Sequence, residues 1–214
     1  EYGQYTEFDI EGAQAILEEA GYADADGDGF IDSPSGEPIA FDIIVPNGWT
    51  DWVNTVQLAV EGLNALGINA TMQTPESPAW TDQLIAGDYE AAINSVTTGV
   101  TPHYFLDQAL HSRHIGQSRF QSARYSNPEL DEALDAFNTT IDPDEQQEFM
   151  NEIQMLVAED MPVVWVFDNP LWYEYNTTRF TGFFNADNPV ARPVDYSGVP
   201  ERLLHLLALR PVED

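Results

Sequence analysis

Between residues 39 and 96 short apolar runs alternate with stretches of helical periodicity, and this alternation limits the fold more than any other feature of the chain. Residues 39–45 (IAFDIIV) read as a strand. Residues 53–66 read as a helix with Val53, Val56, Val60 and Leu63 on its buried side and Gly67 at its end. Residues 68–74 read as a second strand. Ser77-Pro78, a capping residue followed by proline at the first helical position, opens a helix that holds Trp80, Leu84 and Ile85 and stops at Gly87. Residues 89–96 read as a third strand. The order β-α-β-α-β implies parallel strands joined by crossovers, hence an α/β fold with a mainly parallel sheet flanked by helices.

The turn after the first strand is Pro46-Asn47-Gly48-Trp49-Thr50-Asp51-Trp52. Turns normally carry small polar residues, and open α/β sheets bind ligands at their strand-to-helix turns. Two indoles there either close over the core or wall a cleft. One ring buried and the other facing a ligand is the reading we favour, with Asp51 as helix cap or hydroxyl acceptor.

Composition narrows the function. The 214 residues include 37 acids against seven arginines and no lysine, a formal net charge of -30. The acids run along the whole chain, which argues for an acidic coat on a folded body and against an acidic tail. Such a coat repels itself at low salt and is relieved near 1 M salt, where the screening length is about 3 Å. This reads as the protein of an extreme halophile, and nucleic acid and anionic membranes are poor partners for it. There is no cysteine, so no disulfide framework or thiolate metal site. No apolar stretch approaches 18 residues. The start at Glu1 and the unstructured look of residues 1–8 read as a cut from a longer chain. The sequons at Asn69, Asn138 and Asn176 suit an exported protein.

Elsewhere, Asp9 is placed to cap a helix over residues 10–20. Helices are expected over 103–111, 128–137 and 143–159, the last with a capping-box pair at Asp142 and Glu145. Strands are expected over 163–167 and 171–175. Residues 112–126 read as irregular and hold three of the seven arginines.

Two constellations invite a metal. Asp24, Asp26 and Asp28 stand at positions 1, 3 and 5 of a calcium-type loop, Gly29 at 6 and Asp32 at 9, while position 12 is Ser35 where a glutamate is expected. The alternative is an Asx-turn loop whose carboxylates hold backbone N–H groups. Asp107, His111 and His114 have i, i+4, i+7 spacing and could share a helix face. No H-E-x-x-H, G-x-S-x-G or P-loop occurs, and no catalytic constellation stands out. Trp49, Trp52, Trp80, Trp165, Trp172, Tyr173 and Tyr175 gather at element ends and in the late strands. Flat rings stack on the C–H faces of sugars while carboxylates and amides grip hydroxyls, an arrangement in keeping with a small-molecule pocket.

Seven stretches in fixed order carry a family resemblance: residues 13–22 (AQAILEEAGY), 24–32 (DADGDGFID), 63–72 (LNALGINATM), 77–93 (SPAWTDQLIAGDYEAAI), 125–134 (YSNPELDEAL), 161–175 (MPVVWVFDNPLWYEY) and 180–183 (FTGF). Together they resemble the C-terminal half of a family 5 extracellular solute-binding protein, the peptide, nickel and oligosaccharide group served by ABC importers. The turn at 45–52 and the tail segments 171–177 and 187–193 look most like members that bind cellobiose and related β-linked oligosaccharides. The resemblance implies one lobe of a type II periplasmic-binding-protein fold. Residues 1–170 would form the ligand-binding lobe, and residues 171–214 would return toward an N-terminal lobe. It implies a binding protein and not an enzyme, an importer permease as partner, an extracellular, cell-surface place, and a lipid anchor or tether outside this chain. Peptide-binding members carry an aspartate after the third strand that holds the peptide's amino terminus. The matching residues here, 97–102, include no acid, which weakens the peptide alternative. Expected ligand-binding residues are Trp49, Asp51, Trp52, Trp80, Trp172 and Tyr173, with an oligosaccharide as ligand. The other readings are an oligopeptide-binding protein of the same family, a secreted glycoside hydrolase with two facing carboxylates, and a calcium-stapled structural module.

Overall fold

The computed structural model describes residues 8–96, 102–167, 173–191 and 200–212. The chain divides into two compact units, Glu1–Val164 and Trp165–Asp214.

In the first unit, α1 (Ile10–Glu19) is capped by Asp9, whose Oδ1 accepts the Gly12 N–H at 2.8 Å. Its apolar side is only partly covered: Ala13 and Leu17 are half-buried, Ile16 is 57% exposed, and no residue of the helix is fully buried. Three strands follow, β1 (Ala40–Ile44), β2 (Asn69–Gln73) and β3 (Ala91–Ala92), in spatial order β2-β1-β3 with both pairings parallel. The connecting helices are α2 (Thr50–Ala65) and α3 (Ser77–Ala86). The expected β-α-β-α-β order is therefore the observed one, with β3 shorter than its apolar run. Ile43, Ile44, Val45, Trp52, Val56, Trp80 and Leu84 form the core under this sheet.

A second core lies among three further helices: α4 (Pro102–Leu110), α5 (Pro128–Phe137) and α6 (Pro143–Asp160). Leu106, Leu110, Leu130, Leu134, Met150 and Ile153 fill it. Asn127 and Asp142 cap α5 and α6 and precede proline in both. The capping box at Asp142 is not completed, because Glu145 accepts from the Thr140 hydroxyl at 2.5 Å instead. Between α4 and α5 the chain makes two 3₁₀ turns, Ser112–His114 and Arg119–Gln121. The buried Gln121 amide ties this stretch down by donating to the carbonyls of Leu110 and Tyr125 at 2.9 and 3.0 Å.

The second unit contains β4 (Phe180–Thr181), α7 (Glu201–Ala208) and β5 (Arg210–Pro211), with β4 and β5 antiparallel. The strand expected over 163–167 does not form. Residues 163–167 are not in a strand, and Trp165 is 52% exposed beside Val166 at 60%. Alternation with Val164 and Val166 would turn the Trp165 ring into a core, but such alternation becomes a buried face only beside a neighbouring strand. Residues 173–175 are not strand either.

Candidate functional site

The first turn of α2 is set by β1 and β2 together. Val45 N–H donates to the Gln73 carbonyl at 2.9 Å and Asn47 N–H to the Pro75 carbonyl at 2.8 Å. The Asn47 amide reaches Glu76 at 2.8 Å. Gly48 then takes a φ of 82°, a conformation that costs little only without a Cβ. Trp49 lands at the N-cap of α2, and its carbonyl accepts from Val53 N–H at 2.8 Å.

Three indoles converge here. Trp49 meets Trp52 edge to face with centroids 4.8 Å apart, and each lies 5.9 Å from Trp80. Their exposures differ sharply: 40% for Trp49, 5% for Trp52 and 1% for Trp80. Trp52 and Trp80 are core residues, which corrects the expectation that they stack on a ligand. The helical step from 49 to 52 turns Trp52 down onto β1, and the fourth position of α3 points Trp80 at the same core. The Trp80 Nε1–H has no hydrogen-bond partner among the described residues. Asp51 is exposed in the first turn of α2, where its charge complements the helix dipole, and is not the cap.

Arg119 is the residue that sequence reading missed. Its guanidinium carbon lies 5.5 Å from the Trp80 ring and 4.4 Å from Phe120. Nη1 donates to Asn94 Oδ1 at 2.6 Å, and Asn94 Nδ2 returns a bond to the Arg119 carbonyl at 2.6 Å. Asn94 and Ser95 follow β3, so Arg119 joins Trp49 at the carboxyl end of the sheet, where α/β folds hold ligands. The scarcity of arginine in so acidic a chain was the available signal.

A separate hollow of about 600 Å³ opens along the Asp42 and Ile44 face of the sheet, lined also by Gln73, Thr74, Tyr89 and Glu90. Trp49 is not among its walls.

The aspartate loop brings three of its four expected ligands together. Oxygens of Asp24, Asp26 and Asp28 lie within 4.8 Å of one another, all exposed. Asp32 does not join them. It is buried, accepts from Ala25 N–H at 2.9 Å, and bridges through its backbone to Ala23 and Pro38. The three clustered carboxylates also hold the loop's own backbone: Asp24 accepts from Gly27 and Gly29, Asp26 from Asp28 and Asp28 from Phe30.

Asp107, His111 and His114 do not share a helix face, because α4 ends at Leu110. They belong to an ion-pair network: Arg113 bonds Asp107 and, at 2.6 Å, Asp135; His114 Nε2 lies 3.0 Å from Asp107 and His111 Nδ1 3.1 Å from Asp131.

In the second unit Tyr173 stacks on Tyr175 at 5.3 Å, Tyr175 on Phe183 at 4.5 Å, and Phe184 on His205 at 5.0 Å. Burial raises the Tyr173 phenol above its usual pKa. Trp172 and the 97–101 loop lie outside the described residues.

The model of the bacterial extracellular solute-binding proteins, family 5 (middle region), matches residues 1–117. The chain belongs to this family. Among curated proteins none matches. A crystal structure of a mannohexaose-bound periplasmic oligopeptide-binding protein of an ABC transporter from Thermotoga maritima is 27% identical, with a TM-score of 0.83 over 96% of this chain and 39% of its own. The oligopeptide-binding protein AppA of Bacillus subtilis, with a nonapeptide, is 23% identical with a TM-score of 0.65 over 73% of this chain and 31% of its own. The stachyose complex of MelB from Agrobacterium fabrum is 20% identical with a TM-score of 0.62 over 72% and 25%. This family 5 chain thus spans about two fifths of the length of the Thermotoga protein. Its α/β lobe with a parallel sheet is that of the type II periplasmic binding proteins.

Proposed function

We propose that this chain is the C-terminal lobe of the substrate-binding component of an ABC importer, and that its ligand is an oligosaccharide held by aromatic stacking. The observation that carries the ligand reading is Trp49: an indole 40% exposed at the carboxyl end of a parallel sheet, backed by two buried indoles that fix its plane. A ring so supported loses little entropy on binding. The mannohexaose in the Thermotoga relative supports the same class of ligand. Asp51, one residue on, is an exposed acceptor for hydroxyls. A second lobe, closing by a hinge, supplies the opposite wall. Residues 1–170 form the ligand-binding lobe and residues 171–214, with Trp172 and Tyr173, return toward the other one. The protein works outside the cell, tethered at the surface beside its permease, and its acidic coat suits a medium of high salt. The Asp24, Asp26 and Asp28 loop is a structural calcium site of low affinity. No bond is broken in this role.

The test is calorimetric titration of the protein in its full natural length with cellobiose, longer β-linked glucans and short peptides. Sugar binding in the micromolar range or tighter supports the reading. Tight peptide binding without sugar binding overturns the ligand, and turnover of a chromogenic glycoside overturns the binding-protein role.

A further inference from the structure

The other described arginines, 113, 124, 179, 202 and 210, are exposed, while Arg119 is partly buried. Among the described residues it forms no ion pair, in a chain where acids outnumber arginines 37 to seven. A half-buried cation without a counter-ion is costly, and it is kept where something else meets the charge.

The guanidinium's own hydrogen bonds show which side is open. Nη1 donates to Asn94 Oδ1 at 2.6 Å, and Nη1 and Nη2 both point at Ser95 Oγ, at 3.4 and 3.3 Å. These contacts occupy the end of the fork. Of the five N–H groups of the side chain, Nε–H and the second Nη2–H have no partner among the described residues. Those two are parallel and form the edge that takes a carboxylate in a two-pronged bond. The acceptors already present, an amide and a hydroxyl, are neutral, so they orient the fork without cancelling its charge. Burial also pulls the guanidinium's pKa below its usual value, a sign that little water surrounds it.

Place matters as much as charge. Arg119 and Trp49 flank the same Trp80 ring, at 5.5 and 5.9 Å from its centroid. Both therefore lie within reach of one short oligosaccharide at the carboxyl end of the sheet. We propose that Arg119 is a carboxylate anchor of the ligand site, and that the saccharide bound there carries a uronic acid. This rests on the saccharide reading above and adds the charge of the ligand to it. A peptide's terminal carboxylate offers the same chemistry, but the neighbouring indole favours a sugar ring.

The test titrates the full-length protein in concentrated KCl with cellotriose, with the cellotriuronate of equal length, and with a tripeptide carrying either a free or an amidated C-terminus. The expected result is a uronate affinity at least tenfold above that for the neutral trisaccharide. That ratio should fall to near one in Arg119→Gln and to an intermediate value in Arg119→Lys, which keeps the charge but loses the fork. Equal affinity for both sugars, or a preference that survives Arg119→Gln, overturns the proposal. Should Arg119→Gln fail to fold, the ratio in Arg119→Lys decides alone, and an unchanged ratio overturns the proposal. If neither sugar binds, the saccharide reading falls. An Arg119-dependent preference for the free over the amidated tripeptide then keeps the anchor and reassigns the ligand, and its absence ends both.

Discussion

Trp49 and Trp52 meet edge to face with ring planes at 71°, yet one is 40% exposed and the other 5%. The pair divides two tasks that a single indole could not combine. The buried ring anchors the turn, and the exposed ring presents a flat face. Trp49→Ala should cost affinity for oligosaccharide by about tenfold or more, as loss of an aromatic anchor does, with little change in melting temperature. Trp52→Ala and Trp80→Ala should instead lower stability by ~3–5 kcal/mol, the range for truncating a buried large aromatic. Parallel calorimetry and thermal melts of the three variants check this. Equal losses of affinity at unchanged stability would contradict the division.

The proposed calcium site in the aspartate loop gives a direct test. With no bidentate glutamate and only exposed carboxylates, a dissociation constant on the order of 10⁻⁴–10⁻³ M is expected. Terbium luminescence competed by calcium would measure it, and Asp26→Asn should weaken it severalfold. Asp32→Asn should act on stability more than on the ion, because its carboxylate holds the Ala25 N–H at 2.9 Å. No luminescence in wild type would leave the loop as hydrogen-bonded Asx turns.

Salt should stabilise the fold. With a net charge of -30 the folded chain repels itself, and screening removes that term as the Debye length shrinks to about 3 Å at 1 M. Melting followed by circular dichroism should move up by roughly 10 °C or more between 0.1 and 3 M KCl, a shift equal to a few kcal/mol for a chain of this size. A flat response would remove the halophilic reading.

Alkaline titration should register Tyr125. Burial, and then its bond to the Asp160 carboxylate, pushes this phenol up to about 12. The unfolded phenol titrates near 10, so between about 10 and 12 the folded state holds the extra proton. Its contribution is complete below pH 10 and disappears as pH rises through 12. Asp160, held below its usual range by hydrogen bonds from Tyr125 and Asn127, contributes in the opposite sense and loses its part in acid. Tyr125→Phe should flatten both limbs in pH-dependent melts, and absorbance at 295 nm should lose one late-titrating phenol.

Capping signals and the strand-helix order were readable one residue at a time because they are local. Asp9, Asn127 and Asp142 cap the helices they precede, and the runs at 39–45 and 68–74 pair in parallel. The strand expected at 163–167 is not formed, since strand formation depends on a neighbouring strand that no local pattern reveals. The Asp107, His111 and His114 spacing failed because α4 ends at Leu110, between its first and second members, and Asp131 and Asp135 arrive from α5 to meet His111 and Arg113.

By itself the sequence determined the alternation of strands and helices, the double-tryptophan turn and the charge of the body, since each is written in adjacent residues. Which indole stays open was decided only in three dimensions, because exposure depends on α3 bringing Trp80 beneath the turn. The same holds for Arg119: 25 residues separate it from Asn94, and only the folded chain brings its guanidinium to the end of the sheet.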